Sequence, residues 1–400
     1  MGNHRFRPSE EPSPQPRTSP TRYAIIALLA IVALVIALGA VVIPGLSNRG
    51  LRVAYLKQAD SGGAYNLWIA DPDSPEKARQ ITFTRYGVLD YDVSGDGRYI
   101  AYTERGFENP ASEIILLDLR AGQIQPLTDC RALNVDCASP RFRPGDNRLI
   151  AYQRTEHNVV VDETGREGDV SYIWLIDRSN GEIATFPLIN ETQLAGTDPE
   201  WSADGSRLAF YDPINLGIVV YDFAAGEAGS TTPFRFIDNN FGLTGALSPD
   251  GRQLVFPQMV FDGLRNRAYL QLADLDRGFF QLLTLPDEFA DDQFAAWSPD
   301  GRYVAIARQY IDERYTRGAQ IYRVDMTDGS ATPLIDDPEY SSTFVAWSPD
   351  GTKLAIQRFH PTGDSGNIYS EGTIEVWTYD METGDLTKIA ENARSPLWAP

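Results

Sequence analysis

The segment FAAWSPDGRYVAIA around Trp297 returns fifty residues later as FVAWSPDGTKLAIQ around Trp347. Aligned on the Asp of that phrase, six copies stand at Asp96, Asp146, Asp204, Asp250, Asp300 and Asp350, separated by 50, 58, 46, 50 and 50 residues. A unit recurring at this interval cannot bury its apolar surface alone and must stack against its own copies. Within each unit, Ser-Pro-Asp-Gly is turn chemistry: Pro presets φ, Asp suits the next position, and Gly tolerates a positive φ. The turn joins a first strand to a short apolar second one (RYIAY, RLIAY, YVAIA, KLAI), of the kind buried on both faces. A third strand ends in Asp118, Asp177, Asp222, Asp274, Asp325 or Asp380, each followed four residues later by Gly, which predicts a second hairpin. A fourth strand such as QPLT or QLLT completes four antiparallel strands in about fifty residues, the blade of a β-propeller.

The chain ends predict how the ring closes. LRVAYL from Leu51 reads as a second strand, NLWIAD as a third and ARQITF as a fourth, with no first strand before them. SPLWAP, with Trp398, Ala399 and Pro400, matches a first strand that stops before its turn. One composite blade shared by the two ends, plus six whole ones, gives an all-β, seven-bladed propeller with no open sheet edge at the seam. The phrases Ser248–Gly251, Ser298–Gly301 and Ser348–Gly351 resemble the WD-like repeats of TolB-type propellers, over about residues 51–400. That resemblance implies the fold; the function it implies is open, because such propellers serve as scaffolds, as binding modules and as companions of hydrolase domains.

The first fifty residues read differently. Residues 1–22 are rich in Pro, Ser and Arg, 23–43 form an uncharged apolar run, and 44–50 form a linker to the propeller at 51–400. Twenty-one helical residues span roughly 30 Å, a bilayer's hydrocarbon core. A single transmembrane helix is expected. A cleaved signal peptide is the rival, with Ala37, Gly39 and Ala40 as small residues near a cleavage point, although its apolar stretch is ordinarily shorter. Arg5, Arg7, Arg17 and Arg22 place the N-terminus in the cytoplasm and the propeller outside the plasma membrane.

The formal net charge is −20, and the tail is itself basic, so the propeller carries all of the acidic excess. Such a surface repels phosphate backbones, which excludes nucleic acid as a partner. Cys130 and Cys137, the only cysteines, are expected to pair as a disulfide outside the cytoplasm. With no neighbouring His they make a poor zinc site, and no cofactor or metal is expected. Acids at Asp287–Asp292 and Asp336–Glu339 could hold Ca²⁺ with loop carbonyls, though without EF-hand spacing.

The sequence contains no G-x-S-x-G nucleophile elbow and only three His, so a triad has little material. A non-catalytic module binding an envelope protein, peptide or glycan is the main reading. The alternatives are a bare scaffold and a lyase- or glycosidase-type enzyme using loop carboxylates. The connections after second and fourth strands are long and share one face, where recognition is expected. Eight residues after each alignment Asp stand Glu104, Arg154, Asp212, Gln258, Arg308 and Arg358. Arg154, Arg308 and Arg358, with Tyr310, Tyr315 and Phe359 as apolar contacts, form the candidate site for a carboxylate-bearing ligand. Solvated ion pairs with acids such as Glu156, Asp312 and Asp364 are the plainer expectation for the same arginines. All seven Trp fall on repeat positions and are expected to pack between blades.

Overall fold

Each Ser-x-Asp-Gly turn closes in the same way. In blade six the Ser298 hydroxyl donates to Asp300 at 2.6 Å and accepts from the Tyr303 N–H, while Asp300 also accepts from the Arg302 N–H. The Gly301 N–H reaches the Ser298 carbonyl, and Gly301 has φ +70°, a left-handed value that favours glycine. The same bonds recur at Ser94, Ser202, Ser248 and Ser348. These Asp are therefore consumed in turns. The second hairpin repeats as regularly: Asp118 accepts from the Arg120 and Ala121 N–H groups, and its outer oxygen receives Arg98 from the neighbouring strand at 2.8 Å. That guanidinium holds the Asp118 carboxyl down at about 2.

The computed structural model describes residues 50–400 except 60–61, 107–110, 161–164, 190–193, 226–233, 262–265, 285–286, 317 and 361–371. Leu51–Pro400 is a unit separate from Met1–Gly50. The expected membrane helix at 23–43 lies outside the described residues, among which no helix is long and apolar enough to cross a membrane. The 28 strands, numbered in chain order, form seven four-stranded antiparallel sheets. The inner strands are β4 (Val88–Val93), β8 (Asp136–Arg143), β12 (Thr197–Trp201), β16 (Ala246–Leu247), β20 (Ala290–Trp297), β24 (Ser341–Trp347) and β28 (Ala393–Ala399). They belong to blades two to seven and, for β28, to blade one. There β28 pairs with β1 (Arg52–Gln58), with Trp398 opposite Val53, so the chain's two ends share a sheet as expected.

The core is a set of slabs between adjacent blades. Leu56 and Leu67 of blade one, for example, meet Val88, Ile100 and Tyr102 of blade two, all fully or almost fully buried. Tryptophan performs two jobs rather than one. Trp201, Trp297, Trp347 and Trp398 each donate the indole N–H to an inner-strand carbonyl of the preceding blade: Arg141, Ala246, Ala296 and Ala346, at 2.9–3.1 Å. Trp68, Trp174 and Trp377, on third strands, instead lie under cations of their own blade, Lys57, Arg154 and Arg358. The reason is radial position: only the inner strands approach the neighbouring backbone closely enough for an indole to reach it.

Deleting Ser395–Pro400 removes most of the inner strand of blade one and the Trp398 stitch together. The expected outcome is loss of the cooperative thermal transition of the full chain; an unchanged melting curve would contradict closure through this blade. Replacing Trp347 by Phe keeps an aromatic ring but removes the indole donor and part of the packed ring surface, and should cost about 1–2 kcal/mol by thermal denaturation.

Candidate functional site

The inner strands all run toward the tight-turn face, and the residues one before the Trp position, with most of those three before it, line the central channel. One before, the ring reads Asp92, Arg141, Glu200, Ala246, Ala296, Ala346 and Leu397. Three before, it reads Asp90, Ser139, Asp198, Thr244, Phe294, Phe344 and Ser395. The channel cavity, about 490 Å³, is consequently divided. Blades two to four present four carboxylates and one guanidinium. Blades five to seven and blade one present mainly Ala, Phe and Leu.

The backbone of this wall is under strain. Ser139, Asp198 and Ser395 have φ of +52°, +54° and +54°, and each precedes a proline, which itself disfavours helical conformations at that residue. Left-handed backbone at a non-glycine residue costs about 1–2 kcal/mol. Each kink interrupts the pairing register of its inner strand and is clasped by another blade. Asp90 accepts the Ser139 N–H at 3.0 Å, Thr244 donates to the Asp198 carbonyl at 2.8 Å, and the Tyr91 hydroxyl reaches the Ser395 carbonyl at 2.7 Å. Gly245, at φ +84° one residue further along its strand, bends blade five, where a Cβ would clash with the Val255 carbonyl. Strain repeated at one level and facing one cavity points to a shaped site.

Its electrostatics follow from crowding. Arg141 reaches Glu200 at 3.3 Å. Burial works against its charge, but Glu200, then Asp92, Asp90 and Asp198, outweigh burial and keep the guanidinium protonated. One cation cannot satisfy the surrounding carboxylates. Burial raises Asp92, against the pull of Arg141 and of the Phe142 N–H that it accepts at 2.7 Å. Asp198 is raised by burial and then by Asp90. Glu200 is pushed up to about 7, by burial first and by Asp198 and Asp92 next. The site thus holds a carboxyl that titrates near neutrality while a neighbouring cation stays fixed. Among the described residues no group of three or more His, Cys, Asp or Glu is arranged to hold a metal ion.

The six residues read from sequence lie elsewhere and are spread over three blades. Arg154 stacks on Trp174 at 4.2 Å and pairs with Glu156 at 3.3 Å. Arg308 is 5% exposed and grips Asp292 with two nitrogens at 2.7 and 2.8 Å. Arg358 is 1% exposed, reaches Asp337 at 2.6 Å and lies between Tyr340 and Trp377. Tyr310 lies under Arg314, Tyr315 is exposed, and Phe359 lines a separate cavity between blades six and seven. Asp312 pairs with Arg314 rather than with Arg308, and Asp364 falls outside the described residues. Of the acids considered for Ca²⁺, Asp287, Asp292 and Asp337 are engaged by Arg314, Arg308 and Arg358. Cys130 and Cys137 form the expected disulfide, with a short helix α1 (Cys130–Leu133) at one end.

Comparison with known proteins agrees with this architecture. The TolB beta propeller domain family matches residues 49–313. The chain belongs to this family. No curated protein sequence matches it. Among solved structures, TolB from Acinetobacter baumannii is 18% identical with a TM-score of 0.45, the alignment covering 87% of this chain and 66% of that one. An oligogalacturonate lyase from Vibrio parahaemolyticus is 13% identical, with a TM-score of 0.53 and coverage of 86% and 85%. A puromycin-hydrolyzing peptidase from Mycobacterium tuberculosis is 14% identical with a TM-score of 0.54, and the alignment covers 86% of this chain but only 54% of the peptidase. At these identities the likeness shows the fold alone.

Two predictions follow from the charges. Because the folded pKa of Glu200 lies above its unfolded value, the folded state binds more protons between pH 4.5 and about 7. Stability therefore falls as pH rises through that window. Glu200 is 40% exposed to channel solvent, so screening limits the effect to on the order of 1 kcal/mol. Thermal melts of Glu200→Gln should show a flatter profile from pH 5 to 8. For the buried pair, Arg308→Ala should cost about 3 kcal/mol by leaving Asp292 uncompensated, and Arg308→Met with Asp292→Leu should recover most of it. Denaturant titration of the single and double variants checks this.

Proposed function

We propose that this chain is a membrane-anchored propeller displayed outside the cytoplasm, which binds a cell-envelope protein or peptide without performing chemistry on it. The anchor reading rests on the uncharged run from Tyr23 to Ile43 and on the four Arg before it. One observation carries the binding reading: the division of the channel into a carboxylate wall and an apolar wall. A ligand complementary to it bears a cationic group on an apolar body, as a Lys or Arg side chain next to an aromatic or aliphatic residue does. The cation meets Asp90, Asp198 and Glu200, and the body packs on Phe294, Phe344 and Leu397. Arg141 fixes the carboxylates in place and spaces them. In this reading Arg308 ties two strands of blade six together through Asp292, and Arg358 ties blade seven to the connection before it through Asp337, instead of touching the ligand.

The glycosidase- or lyase-type reading has one observation in its favour. Glu200 is held near 7 in the same cavity as Asp92 and Asp198, whose carboxyls are raised as well, so the cavity holds a carboxyl able to donate a proton near neutral pH. Turnover of envelope glycans or peptides by the full chain, lost in Glu200→Gln, would establish it.

The binding reading is tested by photo-crosslinking in host membranes, with the reactive residue at position 344 in the channel or at position 214 on the exposed rim. A defined adduct from 344, absent from 214 and lost in Asp198→Asn/Glu200→Gln, is expected. Equal adducts from both positions, or adducts indifferent to the double change, would count against the channel as the binding site.

A further inference from the structure

We infer that the cavity between blades six and seven is a second ligand site, distinct from the charged wall of the channel, and that it takes a neutral, hydroxyl-bearing sugar unit. The cavity measures about 270 Å³, just under the ~300 Å³ at which small-ligand pockets begin, which suits a single ring. It shares Gln293 and Phe294 with the central channel as a common wall. Among the described residues no Lys or Arg lines it. Its one carboxylate, Asp291, is raised by burial, and its oxygens are taken by the Ala268 N–H at 2.7 Å and the Gln293 amide at 3.0 Å. Among the described residues an anionic ligand finds no counter-charge there, and the one carboxylate already has both oxygens engaged.

The remaining polar groups are neutral and several are held in fixed orientations. The Gln357 amide donates to Thr343 and accepts the Ser395 N–H, and the Gln309 amide donates to the Thr316 carbonyl at 2.7 Å. This leaves Oε1 of Gln309 as an acceptor. The Ser342 hydroxyl, fully buried in the wall, has no hydrogen-bond partner among the described residues. A buried hydroxyl left so among the described residues is one that a ligand hydroxyl in the cavity would satisfy. Comparison with the adjacent blade shows how it arises. In blade six, Asp292 stands opposite Arg308 and is consumed by it. In blade seven, Ser342 stands opposite Arg358, but that arginine has turned to Asp337. The position is therefore shorter, uncharged and unspent. A sugar hydroxyl both donates and accepts, so it serves Gln309 and Ser342 alike, while Phe294 and Phe359 offer apolar surface to the ring's C–H face.

The test is saturation-transfer NMR on the full chain in a detergent without a sugar headgroup. The probes are glucose and N-acetylglucosamine, with glucuronate and glucosamine as acidic and basic versions of the same ring and acetyl-trialanine amide as a neutral peptide. Millimolar binding of the neutral sugars is expected, weakened about tenfold in Ser342→Ala and in Phe359→Ala, with melting temperature retained in the serine variant. Stronger binding of glucosamine, abolished by Asp198→Asn/Glu200→Gln, would place the sugar in the channel and overturn the inference. Preference for the peptide would overturn the ligand class. Sugar binding indifferent to Ser342→Ala would mean that this hydroxyl serves the Nε of Arg358, itself unpartnered, through water, and would overturn the site.

Discussion

Everything in this molecule depends on closing the ring at its inner edge. Four indole N–H groups each reach back to the preceding blade's inner strand, and the last of them, from Trp398, does so from the strand that the C-terminal residues lend to blade one. Apolar slabs between blades supply most of the burial energy, but they are indifferent to small rotations of one sheet on the next. The indole bonds are directional. They fix the height and azimuth of four inner strands against their neighbours, and hence which side chains of those strands meet in the channel.

The channel's chemistry follows from that fixed height. At the repeat position one before Trp all seven blades line the channel, with Ala296 and Ala346 on one side and Arg141 and Glu200 on the other. Bends at Ser139, Asp198, Gly245 and Ser395 give the strands their shape there, and each non-glycine bend is held by a side chain from a neighbouring blade. Crowding of carboxylates around one guanidinium then raises Glu200, so the repeat geometry and the proton affinity of the site are parts of one arrangement.

Much of the fold was legible in the sequence because turns and strand periods are local. The phrase repeat located the blades, the truncated phrase at Trp398 located the closure, and the spacing of Cys130 and Cys137 located the disulfide. The channel was legible in principle and was missed. Its signal is the contrast between Asp92, Arg141 and Glu200 and the alanines at the same repeat position, together with the proline one residue further upstream in three blades. The repeat was read for its turns, whose Asp are spent on backbone amides, and the residues before Trp drew no attention. The surroundings of the arginines were not legible for a physical reason: polarity at a strand mouth does not reveal burial. Arg358 is neutralised by Asp337 from the preceding connection and Arg308 by Asp292 from the adjacent strand, sixteen residues back. Asp292 faces Arg308 through the hairpin register, whereas Asp337 comes to Arg358 through tertiary packing, which no spacing rule encodes.

Hydroxyl-radical footprinting of the full chain, in intact host cells and after purification, tests the central claim most directly. If the divided channel is where a partner's cationic, apolar side chain is held, Phe294 and Phe344 will be oxidised less in cells than in the purified protein, while exposed Phe83 and Phe261 change little. Equal oxidation of the two channel phenylalanines in both states, with protection confined to outer strands or the rim, would contradict the account.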